Sequence, residues 1–262
     1  MNLWINRIKN LVTIRSGRTD SLLDLILDSL FPKPCPACKH PLSIPSDAPL
    51  CNECIQHVRP INGAVCIKCG IPFPAKTSLN HLCSHCTKNN SSLDWARSIF
   101  IYHGPIAILI KRFKYHDDRA CLNALLQLSR PYLDQALNGI PFDLYNRSSK
   151  TCIIPVPLHP KRLKKRLFNQ SLLIAKGLFE YAPICLDLVQ RTIDNPPQSN
   201  LGLEERKRNV RGIFRVKGLS DFENFLLVDD VMTSGSTLNE LAKALKNHGA
   251  RCVAALTIAR TV

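Results

Sequence analysis

The sequence predicts an α/β chain, a mostly parallel sheet flanked by helices, preceded by a small loop-rich module dense in cysteine. Three observations predict it. From Trp95 onward, short apolar runs alternate with segments of helical periodicity, the rhythm of strands that pair in parallel across intervening helices. Between Cys35 and Cys86 the chain carries repeated Cys-x-x-Cys pairs, many prolines and no sustained periodicity. Near the C-terminus, the apolar run Phe225–Val228 leads directly into Asp229, Asp230 and a stretch of small residues before a periodic helix. A length of 262 residues accommodates one sizeable core plus such a module.

Taken in order, Trp4, Ile5, Ile8, Leu11 and Val12 fall at helical spacing, and Leu22, Leu23, Ile26, Leu27 and Leu30 do so again after Asp20 and Ser21. This helical segment, residues 1–30, is expected to dock on the body. The run Leu22–Leu30 is broken by Asp24 and Asp28 and has no small-residue cleavage site, so it is not read as a secretory signal. No stretch reaches the roughly 18 apolar residues that a membrane span needs. The cysteine module is assigned to 31–92 and the α/β domain to 93–262. In the latter, Ile99–Tyr102, Thr151–Val156, Gly212–Val216, Phe225–Val228 and Cys252–Ile258 read as strands. Ile106–Lys114, Cys121–Leu137, Gln170–Phe179 and Thr237–Asn247 read as helices.

The cysteine module is internally duplicated. Cys35, Cys38, Cys51 and Cys54 form one set, and Cys66, Cys69, Cys83 and Cys86 repeat its spacing almost unchanged. Each Cys-x-x-Cys turn places two thiolates on one side of a tight knuckle, and two knuckles complete the tetrahedral sulfur shell that Zn²⁺ prefers. Two structural zinc ions are predicted, each a source of folding free energy for a segment with few large apolar residues. Sequential pairing of the knuckles is the simplest arrangement, and an interleaved one satisfies the same ligand count. His40, His57, His81 and His85 are not assigned as ligands. Cys121, Cys152, Cys185 and Cys252, scattered through apolar segments, are read as buried thiols.

The stretch from Phe225 to Thr237 carries the chemistry. Ligands of an open parallel sheet bind beyond the carboxyl ends of its strands, which puts Asp229 and Asp230 at the mouth of the crevice, where carboxylates accept hydrogen bonds from vicinal hydroxyls. Val231 and Met232 then lead into Thr233, Ser234, Gly235, Ser236 and Thr237, small residues whose N–H groups close around a phosphate at the positive end of the following helix. A ribose bearing a 5′-phosphate fits both halves. The chain contains neither a Gly-Lys dipeptide, which excludes a P-loop ATPase, nor a Gly-x-Gly-x-x-Gly dinucleotide fingerprint.

At these residues the sequence resembles a type I phosphoribosyltransferase. The resemblance extends to Ile154–Arg162, Phe168–Gln170 and Pro197–Ser199, followed by Arg206, Asn209, Val210, Arg211 and Gly212. Together with the cysteine knuckles, these motifs resemble the ComF family of DNA-uptake proteins, also labelled GntX-like. The resemblance implies a phosphoribosyltransferase-type sheet that binds phosphoribosyl diphosphate with Mg²⁺, in a cytoplasmic protein of natural transformation. It also implies that Asp229 and Asp230 take the ribose hydroxyls and that Thr233–Thr237 take the 5′-phosphate. The turn at Pro157 and Leu158 would face the diphosphate, with Lys161 and Arg162 as countercharges, and Gln198, Ser199, Arg206 and Asn209 would belong to a mobile covering loop. Two departures stand out: Thr233 occupies the place of a purine-salvage Asp, and Leu167 stands where the family usually has Gly before Phe-Asn-Gln.

The net charge of +15 favours polyanionic partners. Leu158–Phe179 holds Lys161, Arg162, Lys164, Lys165, Arg166 and Lys176 without an acid. Single-stranded DNA and DNA-uptake or recombination proteins are the expected partners, with DNA contact mainly electrostatic because Phe73 is the sole Phe, Tyr or Trp between Cys35 and Cys86. Alternative readings are a phosphoribosyltransferase acting on a small-molecule acceptor and a zinc scaffold with a vestigial pocket.

Overall fold

The computed structural model of the protein describes residues 32–42, 48–74, 79–194, 212–219 and 221–262. The predicted N-terminal helices and the loop residues Gln198, Ser199, Arg206 and Asn209 lie outside them.

In the cysteine module, the second knuckle of each set opens a short helix. Cys51 caps α1 (Asn52–Gln56) and Cys83 caps α2 (Ser84–Lys88). The α/β body follows in the order β1 (Trp95–Ile101), α3 (Gly104–His116), α4 (Arg119–Leu137), β2 (Thr151–Pro155), α5 (Pro160–Arg166) and α6 (Gln170–Leu178). It continues with β3 (Val189–Arg191), β4 (Phe214–Val216), β5 (Asn224–Met232), α7 (Ser236–Asn247) and β6 (Cys252–Arg260). The main sheet is parallel throughout, in the order β1-β6-β5-β2. Three strand assignments change, one being β5, which runs past Val228 to Met232 and so takes Asp229 and Asp230 into the strand. The apolar run at Gly212–Val216 becomes β4, which pairs antiparallel with the unforeseen β3 in a separate ribbon rather than joining the main sheet. β1 begins earlier than Ile99 because Trp95 and Ala96 pair with Ala254 and Ala255.

Strand alternation sorts the interior into two cores. Ile153, Leu226, Val228, Ala254 and Leu256 pack with Ile106, Leu109, Ile110 and Phe113 of α3 and Leu122, Leu125 and Leu128 of α4. Cys152, Ile154, Phe225, Leu227, Val253 and Ala255 face the other way, onto Leu238, Leu241, Ala242 and Leu245 of α7. Because both faces are covered, β5 and β6 read as continuous apolar runs rather than alternating ones. The first core also takes in Cys35, Leu42, Leu50, Cys54 and Val58, so the cysteine module shares its interior with the sheet.

Backbone hydrogen bonds reinforce that union. Ile61 N donates to Ile99 O at 2.9 Å, Ile101 N to Arg59 O at 2.9 Å, and Ala96 N to Lys68 O at 2.7 Å. Gly70, at φ 69°, lies so close to β1 that a Cβ there would meet Ala96 O at 2.4 Å, so the contact requires glycine. On the far side, the segment 183–185 runs along β2, with Ile153 N bonded to Pro183 O and Cys185 N to Ile153 O. This alignment corrects the reading of Cys152 and Cys185 as separate thiols: they are joined as a disulfide. Cys121 and Cys252 are free, as expected, though only Cys121 is fully buried.

Candidate functional site

β5 carries Asp229 and Asp230 to the carboxyl end of the sheet, and the chain then turns through Thr233–Gly235 into α7. Gly235 caps that helix at φ 73°, ψ 4°, and a Cβ there would lie 2.6 Å from Met232 Cε. Only glycine combines that backbone with that contact. The Ser234 and Ser236 hydroxyls lie 2.8 Å apart, and Ser236 N donates to Ser234 Oγ at 3.4 Å. Asp229, Val231, Met232 and the loop Thr233–Thr237 line one small depression at the helix N-terminus, so these predicted residues come together.

Asp230 is buried, and its Oδ2 accepts from Lys114 Nζ of α3 at 2.7 Å. Asp229 Oδ1 accepts from Ser171 Oγ of α6 at 2.8 Å and from Asp230 N at 2.9 Å. Burial and then the neighbouring Asp230 charge push the Asp229 carboxyl up to about 6, with Lys114 and Ser171 acting in the opposite direction. Burial opposes the charge on Lys114, but Asp230 and Asp229 more than offset it and its pKa is raised.

The turn after β2 sits beside this pair, held by Val156 N to Val228 O at 2.9 Å and by Asn169 Nδ2 to Val156 O at 3.1 Å. Pro157 and Leu158 follow it. Lys161 and Arg162 then fall on α5, a helix where a loop was expected, capped by the His159 side chain with Pro160 in its first turn. Lys161 is exposed, whereas Arg162 Nε is bonded to Asp194 Oδ1 at 3.0 Å. Leu167 closes α5 at φ 65°, a left-handed conformation that favours glycine. A larger depression of about 340 Å³ lies at the opposite end of the strands, around Lys150, Glu223, Asn224 and Arg251, and contains none of the predicted residues.

Sequence reasoning missed Lys114, Ser171 and Arg191. Arg191, on β3, is 7% exposed, and burial followed by the like charge of Arg162 lowers its pKa, while Asp229 and Asp194 favour its charge. These side chains ring the acid pair with donors and cations from three separate elements.

In the cysteine module the sulfur atoms of Cys35, Cys38, Cys51 and Cys54 lie within 4.8 Å of one another, and those of Cys66, Cys69, Cys83 and Cys86 do likewise. The knuckles therefore pair sequentially. Cys69 N and Cys83 N donate to Cys66 Sγ at 3.5 and 3.4 Å, and Cys51 N donates to Cys35 Sγ at 3.5 Å. Burial raises the Cys66 thiol, but these amides, with that of Lys68, outweigh it and bring it down to about 6. Cys35 is brought down to about 7 in the same way. All-sulfur sets of four, each with one thiolate held by backbone amides, fit Zn²⁺, which they would hold in closed, structural sites. His81 instead stacks on Phe73, ring centroids 3.9 Å apart.

Comparison with known proteins agrees with this architecture. A double zinc ribbon domain matches residues 26–87, and a phosphoribosyl transferase domain matches 169–261. The DNA utilization protein YhgH of Shigella flexneri is 30% identical over 233 residues, 87% of this chain and 97% of the relative. The competence protein F of Haemophilus influenzae is 28% identical, covering 86% and 96% of the two chains. The chain belongs to the ComF-like family. The competence protein ComFC of Bacillus subtilis is 27% identical, over 82% of this ComF-like chain and 85% of the relative. Among the described residues no helix is long and apolar enough to cross a membrane.

Proposed function

We propose that this ComF-like protein binds phosphoribosyl diphosphate with Mg²⁺ at the end of β5 and acts on or with incoming single-stranded DNA in natural transformation. The observation that carries the reading is the acid pair Asp229–Asp230 running into a glycine-turned loop at the N-terminus of α7. Loop amides and hydroxyls from Thr233 to Thr237 hold the 5′-phosphate, and the carboxylates accept from the ribose hydroxyls. The turn at Pro157 and Leu158 faces the diphosphate, with Lys161, Arg162 and Arg191 as countercharges. When bound with the diphosphate, Mg²⁺ screens its charge against Asp229 and Asp230.

The competence role is supported by what the relatives are named, and the DNA role by the cations of α5, Lys161, Arg162, Lys164, Lys165 and Arg166. The double-ribbon unit is 31–92 and the phosphoribosyltransferase-like unit 93–262. The working compartment is the cytoplasm, in company with DNA-uptake or recombination proteins.

Calorimetric titration of the zinc-loaded protein with phosphoribosyl diphosphate and Mg²⁺ tests the pocket. Binding by the wild type and its loss in Asp229→Asn is the expected result; no binding by the wild type refutes it. For DNA, affinity should fall steeply with salt and flatten when Lys161, Arg162, Lys164 and Lys165 are changed to Glu. Release of diphosphate in the presence of a small acceptor would move the assignment to an active transferase.

A further inference from the structure

The second zinc cluster is approached by buried positive charge from the sheet. Zn²⁺ with four thiolates carries a net charge of about −2. Arg260, the last residue of β6, is 4% exposed; its Nη1 donates to Cys69 O at 2.6 Å, and its Nε is buried without a hydrogen-bond partner. Arg97 of β1 lies over the Trp95 ring, 4.8 Å from Cζ to centroid, and its Nη1 donates to Cys66 O at 3.3 Å and Ile67 O at 3.2 Å.

Neither arginine forms a salt bridge with a carboxylate among the described residues. A buried guanidinium such as that of Arg260 requires a countercharge, and a zinc–thiolate cluster supplies it to Arg260 and to the partly buried Arg97 beside it. The first cluster differs. Arg112 reaches it by donating to Pro36 O at 3.0 Å, but Asp118 neutralises Arg112 at 2.9 Å.

Arg260 also stands next to the phosphate loop. It pairs in register with Met232 of β5, and the following Thr261 N donates to Met232 O at 3.1 Å. Met232 Cε in turn fills the space beside Gly235. A short run of packed and hydrogen-bonded groups thus leads from Cys69 through Arg260 and Met232 to the cap of α7.

We propose that Arg97 and Arg260 are the countercations of the second zinc–thiolate cluster, and that Arg260, as a positioning residue, transmits the occupancy of that cluster to the loop Thr233–Thr237. The metal half stands apart from the proposed function; only the consequence for ligand binding rests on it.

The test uses the full zinc-loaded chain as wild type, Arg260→Met, Arg97→Met and Arg260→Lys. A chromogenic chelator times zinc release, and alkylation with peptide mapping reports which cysteines have been freed. Arg260→Met should release zinc from Cys66, Cys69, Cys83 and Cys86 about tenfold faster or more, as loss of an outer-shell partner does elsewhere. Arg260→Lys should restore most of the retention, and Cys35, Cys38, Cys51 and Cys54 should be unaffected.

In the wild type, amide hydrogen exchange at 233–237 should rise several-fold once the second cluster is empty, while exchange in the middle of α4 stays unchanged. Unaltered release in both Met variants overturns the countercation role, and a loop indifferent to the second zinc overturns the transmission. If Arg260→Met does not fold, Arg97→Met and the wild-type exchange measurement remain decisive. Ribose 5-phosphate titration is run alongside. Its failure with intact zinc-loaded protein counts against the proposed function and leaves the release and exchange results standing.

Discussion

Replacing Asp229 by Asn should make the protein more stable at neutral pH while abolishing phosphoribosyl binding. Burial and the adjacent Asp230 raise the Asp229 carboxyl from 3.8 to about 6. Its ionisation therefore disfavours the folded state. Each pKa unit corresponds to about 1.4 kcal/mol, so the cost at pH 7 is up to about 3 kcal/mol, and about 2 once solvent screening of a half-buried group is allowed for. The sign follows from the raised value: the stability is whole below the unfolded carboxylate pKa near 4 and is lost as pH rises through about 6. Asn keeps an oxygen able to accept from Ser171 Oγ and Asp230 N, so the local geometry survives. Urea unfolding of zinc-loaded wild type and Asp229→Asn at intervals from pH 5 to 7.5 reads the effect directly. The variant's advantage should be about 1 kcal/mol at pH 5, grow to about 2 kcal/mol near pH 7 and change little above that. Parallel curves with a constant offset would refute the reasoning, because they would mean that Asp229 titrates alike in the folded and unfolded chains.

Three further outcomes are expected. Lys114→Met removes the cation from buried Asp230 and should cost about 2–3 kcal/mol in urea unfolding, less than a fully enclosed pair because Lys114 keeps a side-chain exposure of 25%; adding Asp230→Asn should return most of it. Gly235→Ala should weaken ribose 5-phosphate binding by about tenfold or more in calorimetry, since both the left-handed backbone and the Met232 contact must give way. Leu167→Gly should raise stability by about 0.5–1 kcal/mol, seen as a higher melting temperature, because it relieves a left-handed residue whose side chain is 87% exposed and packs on little.

What the sequence revealed was local, and what it concealed was brought together by the fold. Ligands three positions apart on a knuckle, and two acids followed at once by a small-residue loop, declare themselves within a dozen positions. Their pairing partners do not. Lys114 meets Asp230 across 116 residues and Ser171 meets Asp229 across 58, and neither position breaks a local pattern. Knuckle pairing likewise stayed ambiguous, because ligand count is indifferent to which turn faces which. β3 escaped notice because it spans only Val189–Arg191 and takes its partner from beyond residue 211. Leu167 gave the opposite lesson: the departure from Gly was visible in the chain, and its backbone cost became legible only in the left-handed cap of α5.

The way the sheet is bounded bears on the fate of the metal-free protein. A four-stranded open sheet has two rims of unpaired backbone groups, which in isolation are templates for joining another molecule's strand. Here β2 is screened by the 183–185 segment and tied to it through Cys152–Cys185, a covering that needs no metal. β1 is screened by Arg59, Ile61 and Lys68, residues whose own order depends on the cysteine clusters around them. Zinc starvation would therefore unmask one rim and leave the other covered. The resulting assemblies would grow through a single adhesive strand, pairing two by two before they could extend.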